Sequence, residues 1–238
     1  MALPLFTKDI DNVKLAKSKD TKYLSIGLFL SPHKQNSRGR NLCPYASASC
    51  VRACLNTAGR AQVFPVVLEG RKRKTEIYLD NPRAFRETLA REIESNDRRA
   101  KKLKKKLIVR LNGTSDIDYP HEFFERFPSI QFYDYTKNPH RMRKFLSGTL
   151  PKNYYLTFSY SGENWADCKT FLDMGGTVTV VYSLPNFPKT YQGYKVIDGD
   201  KTDLRFLDPR GVIVGLKAKG LAKKAEIAGD FVIQIDKR

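Results

Sequence analysis

Six short apolar runs, each parted from the next by a helical or looped stretch, most narrow what this chain can fold into. They are Tyr23–Leu30, Leu107–Leu111, Ile130–Asp134, Tyr154–Phe158, Thr177–Val181 and Val212–Leu216, with a seventh at Phe231–Ile235. Each is rich in β-branched or aromatic residues, the composition of a buried strand. Pro120–Phe127, Arg141–Ser147, Asn164–Met174 and Leu221–Ile227 supply helical or looped connections. Strand–helix alternation implies parallel pairing with right-handed crossovers, hence an open doubly wound sheet or a full or partial barrel. At 238 residues the chain suits one α/β domain over 1–238. Pro185–Tyr194, with Pro185, Pro188 and Gly193, breaks the rhythm and reads as a loop.

Charge is the next constraint. Lys and Arg number 43 against 25 Asp and Glu, a net +18. Such an excess attracts polyanions without specifying a fold. It is concentrated: Arg71–Lys106 holds 14 basic residues and 6 acidic ones. This segment, 71–106, reads as helical. Val63–Tyr78 forms one helix whose start Pro65 delays, and Asp80-Asn81-Pro82 caps a second. Phe85, Leu89 and Ile93 mark the buried face of that second helix. Arg71, Lys72, Arg73, Lys74, Arg98, Arg99, Lys101, Lys102, Lys104 and Lys105 are the candidate phosphate contacts of a nucleic acid, bound in a salt-dependent, sequence-indifferent way.

Met1–Asp20 has no continuous apolar stretch of the secretory kind, and no run approaches the ~18 apolar residues of a membrane span. Residues 1–22 read as an N-terminal extension, and a cytoplasmic location without membrane partners is expected, the host cytoplasm if the chain is viral. In a reducing compartment four cysteines point to metal or thiol chemistry before disulfides. Three of them, Cys43, Cys50 and Cys54, fall in the loop 31–60 as C-x6-C-x3-C. Cys50 and Cys54, four residues apart, would share a helix face, with Cys43 folded back over it. Structural zinc usually takes four protein ligands, and iron–sulfur clusters are most often held by four cysteines. Either Cys168 or His33 completes the set, or one coordination position is open. Zinc, iron and three unliganded core cysteines all fit the spacing.

Polar residues at the carboxyl ends of the strands form a second set, since chemistry in parallel barrels sits there. Asn112, Asp116, Lys217 and Lys219 are the catalytic candidates, and Arg110, Asn112, Ser159 and Ser161 the cofactor-binding ones. Asp134, Tyr135, Lys137, Tyr182 and Ser183 stand at equivalent ends. Lys217 and Lys219 would hold a carboxylate or phosphate, or merely flank the strand. Asp198–Arg205 lacks the ligand register of a calcium loop and reads as an acidic turn with an Asp203–Arg205 contact. His33, His121 and His140 form no paired metal motif. No Walker loop, Rossmann fingerprint or G-x-S-x-G occurs.

A strand, a three-cysteine loop and a helix opening a strand–helix alternation resemble the radical S-adenosylmethionine superfamily. That resemblance implies a partial (βα)6 TIM-like barrel and a 4Fe–4S cluster on the three cysteines. It also implies S-adenosylmethionine bound at the unique iron and cleaved reductively to a radical. The usual spacing there is C-x3-C-x2-C, and the usual Gly-Gly-Glu-Pro-like turn is replaced here by Asn112-Gly113-Thr114-Ser115-Asp116. The chain more closely resembles the phage Gene product 88 family. The match lies in Cys43-Pro44, Ala46, Cys50, Cys54 and Gly59, in Arg110–Gly113 with Asp116, in Tyr135-Thr136-Lys137, and in Gly215–Gly220. The resulting expectation is an iron–sulfur, radical-S-adenosylmethionine-like enzyme modifying a nucleic acid or nucleotide. The alternative is a non-enzymatic phage nucleic-acid-binding protein with a structural zinc or iron–sulfur site. A third reading is an accessory protein with a degenerate site that captures a host partner.

Overall fold

The computed structural model describes residues 4–8, 12–17, 21–183 and 186–235. Its strands are β1 (Phe6–Lys8), β2 (Tyr23–Leu28), β3 (Lys106–Arg110), β4 (Gln131–Thr136), β5 (Tyr154–Ser159), β6 (Val178–Tyr182), β7 (Thr190–Tyr191), β8 (Tyr194–Asp198), β9 (Ile213–Lys217) and β10 (Val232–Ile233). Its helices are α1 (Val13–Ala16), α2 (Ala48–Arg52), α3 (Arg60–Val63), α4 (Pro65–Asp80), α5 (Pro82–Lys102), α6 (His121–Glu125), α7 (Pro139–Leu146), α8 (Trp165–Asp173) and α9 (Ala225–Ala228).

All seven apolar runs contain strands, and the sheet order is β1-β2-β3-β4-β5-β6-β9-β8-β7. From β2 to β8 the ladders are parallel, while β1 and β7 add antiparallel edges. Strands β2 to β6 and then β9 stand in chain order, without the reversal that marks a doubly wound sheet. Among the described residues no ladder joins the β1 edge to the β7 edge. The architecture is therefore a single-domain, mixed α/β fold on a mostly parallel central sheet. Part of the segment read as an N-terminal extension is the edge strand β1. The stretch read as a loop after Pro185 holds β7 and leads into β8; Pro185 itself lies outside the described residues.

Both faces of the strands are covered, which is why the runs are nearly continuously apolar. Alternate residues go to opposite sides: Leu107, Val109, Phe132, Leu156 and Phe158 pack in the main core with Phe85, Leu89 and Ile93 of α5. Ile108 and Tyr133 face the other side, against Leu204 and Phe206. The caps follow the sequence: Asn81 accepts the Ala84 N–H at 2.9 Å, with Pro82 opening α5.

Two details shape the carboxyl edge. Strand β6 pairs with β5 only at its start and with β10 at its end, so β10 wedges in where β5 and β6 part. After β3, the Gly113 N–H donates to Leu28 O at 2.9 Å. A Cβ on Gly113 would meet the Phe29 ring and lie 2.7 Å from Leu28 O. Gly113→Ala is therefore expected to destabilise the fold by about 2 kcal/mol through overpacking, read by urea denaturation.

Candidate functional site

The carboxyl ends of β3, β4, β5, β6 and β9, together with the cysteine loop and the face of α4, enclose a cavity of about 1060 Å³. Cys43, Cys50 and Cys54 all line it. Ser47 places Cys50: as the N-cap of α2 its hydroxyl accepts the Cys50 N–H at 3.1 Å and donates to Ser161 O at the end of β5. The expected shared helix face is not formed. Helix α2 stops at Arg52, and Cys54, extended at φ −55° and ψ 138°, opens a separate 3-10 turn over Leu55–Thr57.

Two of the sulfurs accept a backbone N–H. Cys43 Sγ accepts the His33 N–H at 3.4 Å, and Cys54 Sγ accepts the Asn56 N–H at 3.5 Å. For Cys50 the nearby charge is the half-buried ammonium of Lys137. Burial pushes the Cys43 thiol up to about 12 and raises Cys54 as well. For Lys137, Cys50, Asp116 and Cys43 outweigh burial and hold the ammonium above its ordinary range. Among the described residues no three His, Cys, Asp or Glu side chains are gathered closely enough to hold a metal ion. Cys168 sits fully buried in the main core, its thiol 3.8 Å from Asn164 Oδ1, and does not line the cavity. His33 contributes a backbone N–H, not its ring, to the sulfur cluster.

Most of the strand-end candidates are engaged with the scaffold. The Arg110 guanidinium lies 3.2 Å from Asp203 and 4.5 Å from the Tyr135 ring centroid. Asp203 also accepts the hydroxyls of Tyr133 and Tyr135, at 3.1 and 2.9 Å. The expected Asp203–Arg205 contact is made through the backbone, the Arg205 N–H donating to Asp203 O at 2.9 Å, while the Arg205 guanidinium turns to Asp208 at 3.2 Å. Asn112 spends its amide on Ile117 O and Asp134, and its carbonyl on Ser115 and the Ile117 N–H. Asp116 accepts from Thr136, the Lys137 N–H and Arg141 at 2.8, 2.8 and 2.6 Å. Both organise the turn after β3. Ser159 faces the cavity and pairs with Thr179 at 3.1 Å, whereas Ser161 lies outside the lining and anchors Ser47. Lys217 and Lys219 reach the rim exposed, as alternation requires, with Lys219 2.8 Å from Asp200.

The basic segment does not form one stripe. Arg71 and Lys74 turn into the cavity and Arg73 stands at its edge, while Lys72 faces out, 3.3 Å from Glu69. Arg98, Arg99, Lys101, Lys102, Lys104 and Lys105 lie at the far end of α5, where Lys106 pairs with the start of β2. That is the amino edge of the sheet, opposite the cysteines. The reason is the reversal at Asn81, which sends α5 back down the sheet. Lys137 is the residue whose role the sequence conceals: it is legible as a strand-end polar residue, but no spacing rule ties it to Cys50. Overall the lining carries eight basic side chains and one carboxylate, Asp116.

Lys74 is the least compensated of these cations. Burial, only partly offset by Glu92, lowers its ammonium to about 8. Glu92 is itself engaged, its two oxygens accepting the Leu5 and Phe6 N–H groups at 2.8 and 3.0 Å. An unfolded lysine titrates near ~10.4. Below pH 8 both states are charged and the folded one bears the full burial penalty; between the two values the folded state releases its proton first, so stability recovers as pH rises. Lys74→Gln is expected to stabilise the fold by about 1 kcal/mol at pH 7, after solvent screening, and the gain should shrink from pH 8 to 10 in thermal melts.

These features define an α/β protein with a cysteine-lined, strongly basic cavity at the carboxyl edge of a parallel sheet. A family model described as Gene product 88 matches residues 4–234, and the chain belongs to that family. No curated protein and no solved structure matches it. Among the described residues no helix is long and apolar enough to cross a membrane.

Proposed function

We propose that the chain is an iron–sulfur, radical-S-adenosylmethionine-like enzyme, a partial (βα)6 TIM-like barrel in architecture, that modifies a nucleic acid or nucleotide. One observation carries the reading: three thiols from one short segment, two of them accepting a backbone N–H, face a cavity at the carboxyl edge of parallel strands in chain order. The donor set fits such a group. Hydrogen bonds to sulfur are among the levers that tune a thiolate-held cluster, and Lys137 supplies positive charge beside two of the sulfurs. Cys43, Cys50 and Cys54 would hold a 4Fe–4S cluster, which when bound supplies the electron for reductive cleavage of S-adenosylmethionine.

The chain's own residues do the rest. The basic lining draws in an anionic substrate, and about 1060 Å³ suits a small ligand of nucleotide size. Lys217, exposed at the rim, would hold a phosphate, while Asn112 and Asp116 shape the wall. Loading must displace protons from the two raised thiols and draw the three sulfurs together. Anaerobic purification with iron and sulfide analysis tests the proposal; colourless protein with stoichiometric zinc would defeat it.

A second reading is favoured by the exposed basic end of α5: a nucleic-acid-binding protein whose cysteines are structural. Cys50→Ser separates the two. In the enzyme it removes turnover and spares nucleic acid affinity; in the binding protein it unfolds the chain and binding is lost with the fold.

A further inference from the structure

We infer that Arg71 and Lys74 form a subsite for the phosphate group of a small organic ligand held inside the cavity. This deepens the proposed function by naming the substrate class, and rests on it for the reaction but not for the binding. The two cations lie three residues apart on α4, hence on one face, and both line the cavity. Among the described residues neither forms an ion pair with a carboxylate: Arg71 donates to the side-chain oxygen of Asn56, its buried Nε has no hydrogen-bond partner there, and its guanidinium lies 5.5 Å from the Phe29 ring centroid. Both oxygens of Glu92, the carboxylate that acts on Lys74, are held by the backbone of β1 and the residue before it.

Two neighbouring, half-buried like charges repel each other and lose solvation, an arrangement that an anion between them relieves. A phosphate monoester carries about −1.5 to −2 at neutral pH and offers three acceptor oxygens, matching two cations, whereas a single carboxylate leaves one charge unmet. The guanidinium is shaped for bidentate contact and the ammonium acts as a point charge. Phe29, Val67 and Gly70 give the pair an apolar wall, which fits an organic phosphate better than the free ion. The same geometry explains why these two residues are not part of a polymer-binding stripe, since Lys72 between them points outward.

Titration of the full chain with inorganic phosphate at low ionic strength, followed by calorimetry, is expected to give one saturable site. Lys74→Gln and Arg71→Gln should each weaken it about tenfold or more, and Lys72→Gln should leave it within about twofold, as expected of an exposed pair. Equal weakening by Lys72→Gln, no saturable site, or equally tight binding of the dianion succinate would overturn the subsite. Circular dichroism melts confirm that the variants are folded, and Lys74→Gln, which removes a buried charge, keeps the test usable if Arg71→Gln does not fold. Unchanged phosphate affinity in Cys50→Ser protein supports the subsite whatever the cysteines hold. Wild-type protein that carries iron and shows no phosphate site sinks the subsite alone.

Discussion

With the proposed cluster in the wild type, Cys50→Ser protein purified without oxygen is expected to carry at least about tenfold less iron and sulfide, and to lack the brown colour such a cluster gives. Cys43→Ser and Cys54→Ser should do the same. Serine keeps the size of the side chain but offers a hard oxygen where a soft thiolate is needed. Cys168→Ser is the control. Its thiol is buried among core residues away from the cavity, so the variant should lose some stability and keep its iron. Lys137→Met asks a finer question. Without the ammonium beside Cys50 and Cys43, three thiolates would lack their nearest compensating charge, and iron content should fall while the fold persists. Equal iron in the wild type and in all three loop variants would sink the assignment of those thiols.

The strands were legible for a physical reason: burial on both faces leaves runs such as Leu107–Leu111 almost free of polar interruption. Strands β7 and β8 lacked that signature, being short and only partly buried, so proline and glycine dominated the reading. The cysteine loop could be read as one cluster because its members are close in sequence. The break between Cys50 and Cys54 could not, since it depends on where α2 ends. The strand-end residues show the same limit more sharply. Polarity and position mark Arg110, Asn112 and Asp116 as site residues, yet their partners are Asp203, Asp134 and Arg141, brought near only by the fold. Helical spacing put Arg71 and Lys74 on one face, but which wall that face meets depends on how the chain turns at Asn81.

The buried ion pair at the floor of this cavity gives the largest stability effect expected here. Asp203→Ala should destabilise the protein by about 3–5 kcal/mol, because a fully desolvated guanidinium is left without its counter-charge. Asp203 is 3% exposed and Arg110 5%, so water cannot take over. The loss also strips acceptors from the hydroxyls of Tyr133 and Tyr135, each a buried donor with its own desolvation penalty. Burial works against the Arg110 cation, but Asp203 and the tyrosines more than offset it and raise its affinity for the proton; the guanidinium cannot escape by neutralising. A double variant, Arg110→Met with Asp203→Leu, removes the charges together and should recover much of the loss, since apolar replacements of buried pairs are often tolerated. Urea denaturation of the two single variants and the double one measures the coupling. If the double variant is as unstable as the sum of the singles, the two groups act independently, and the pair is not what holds the cavity floor.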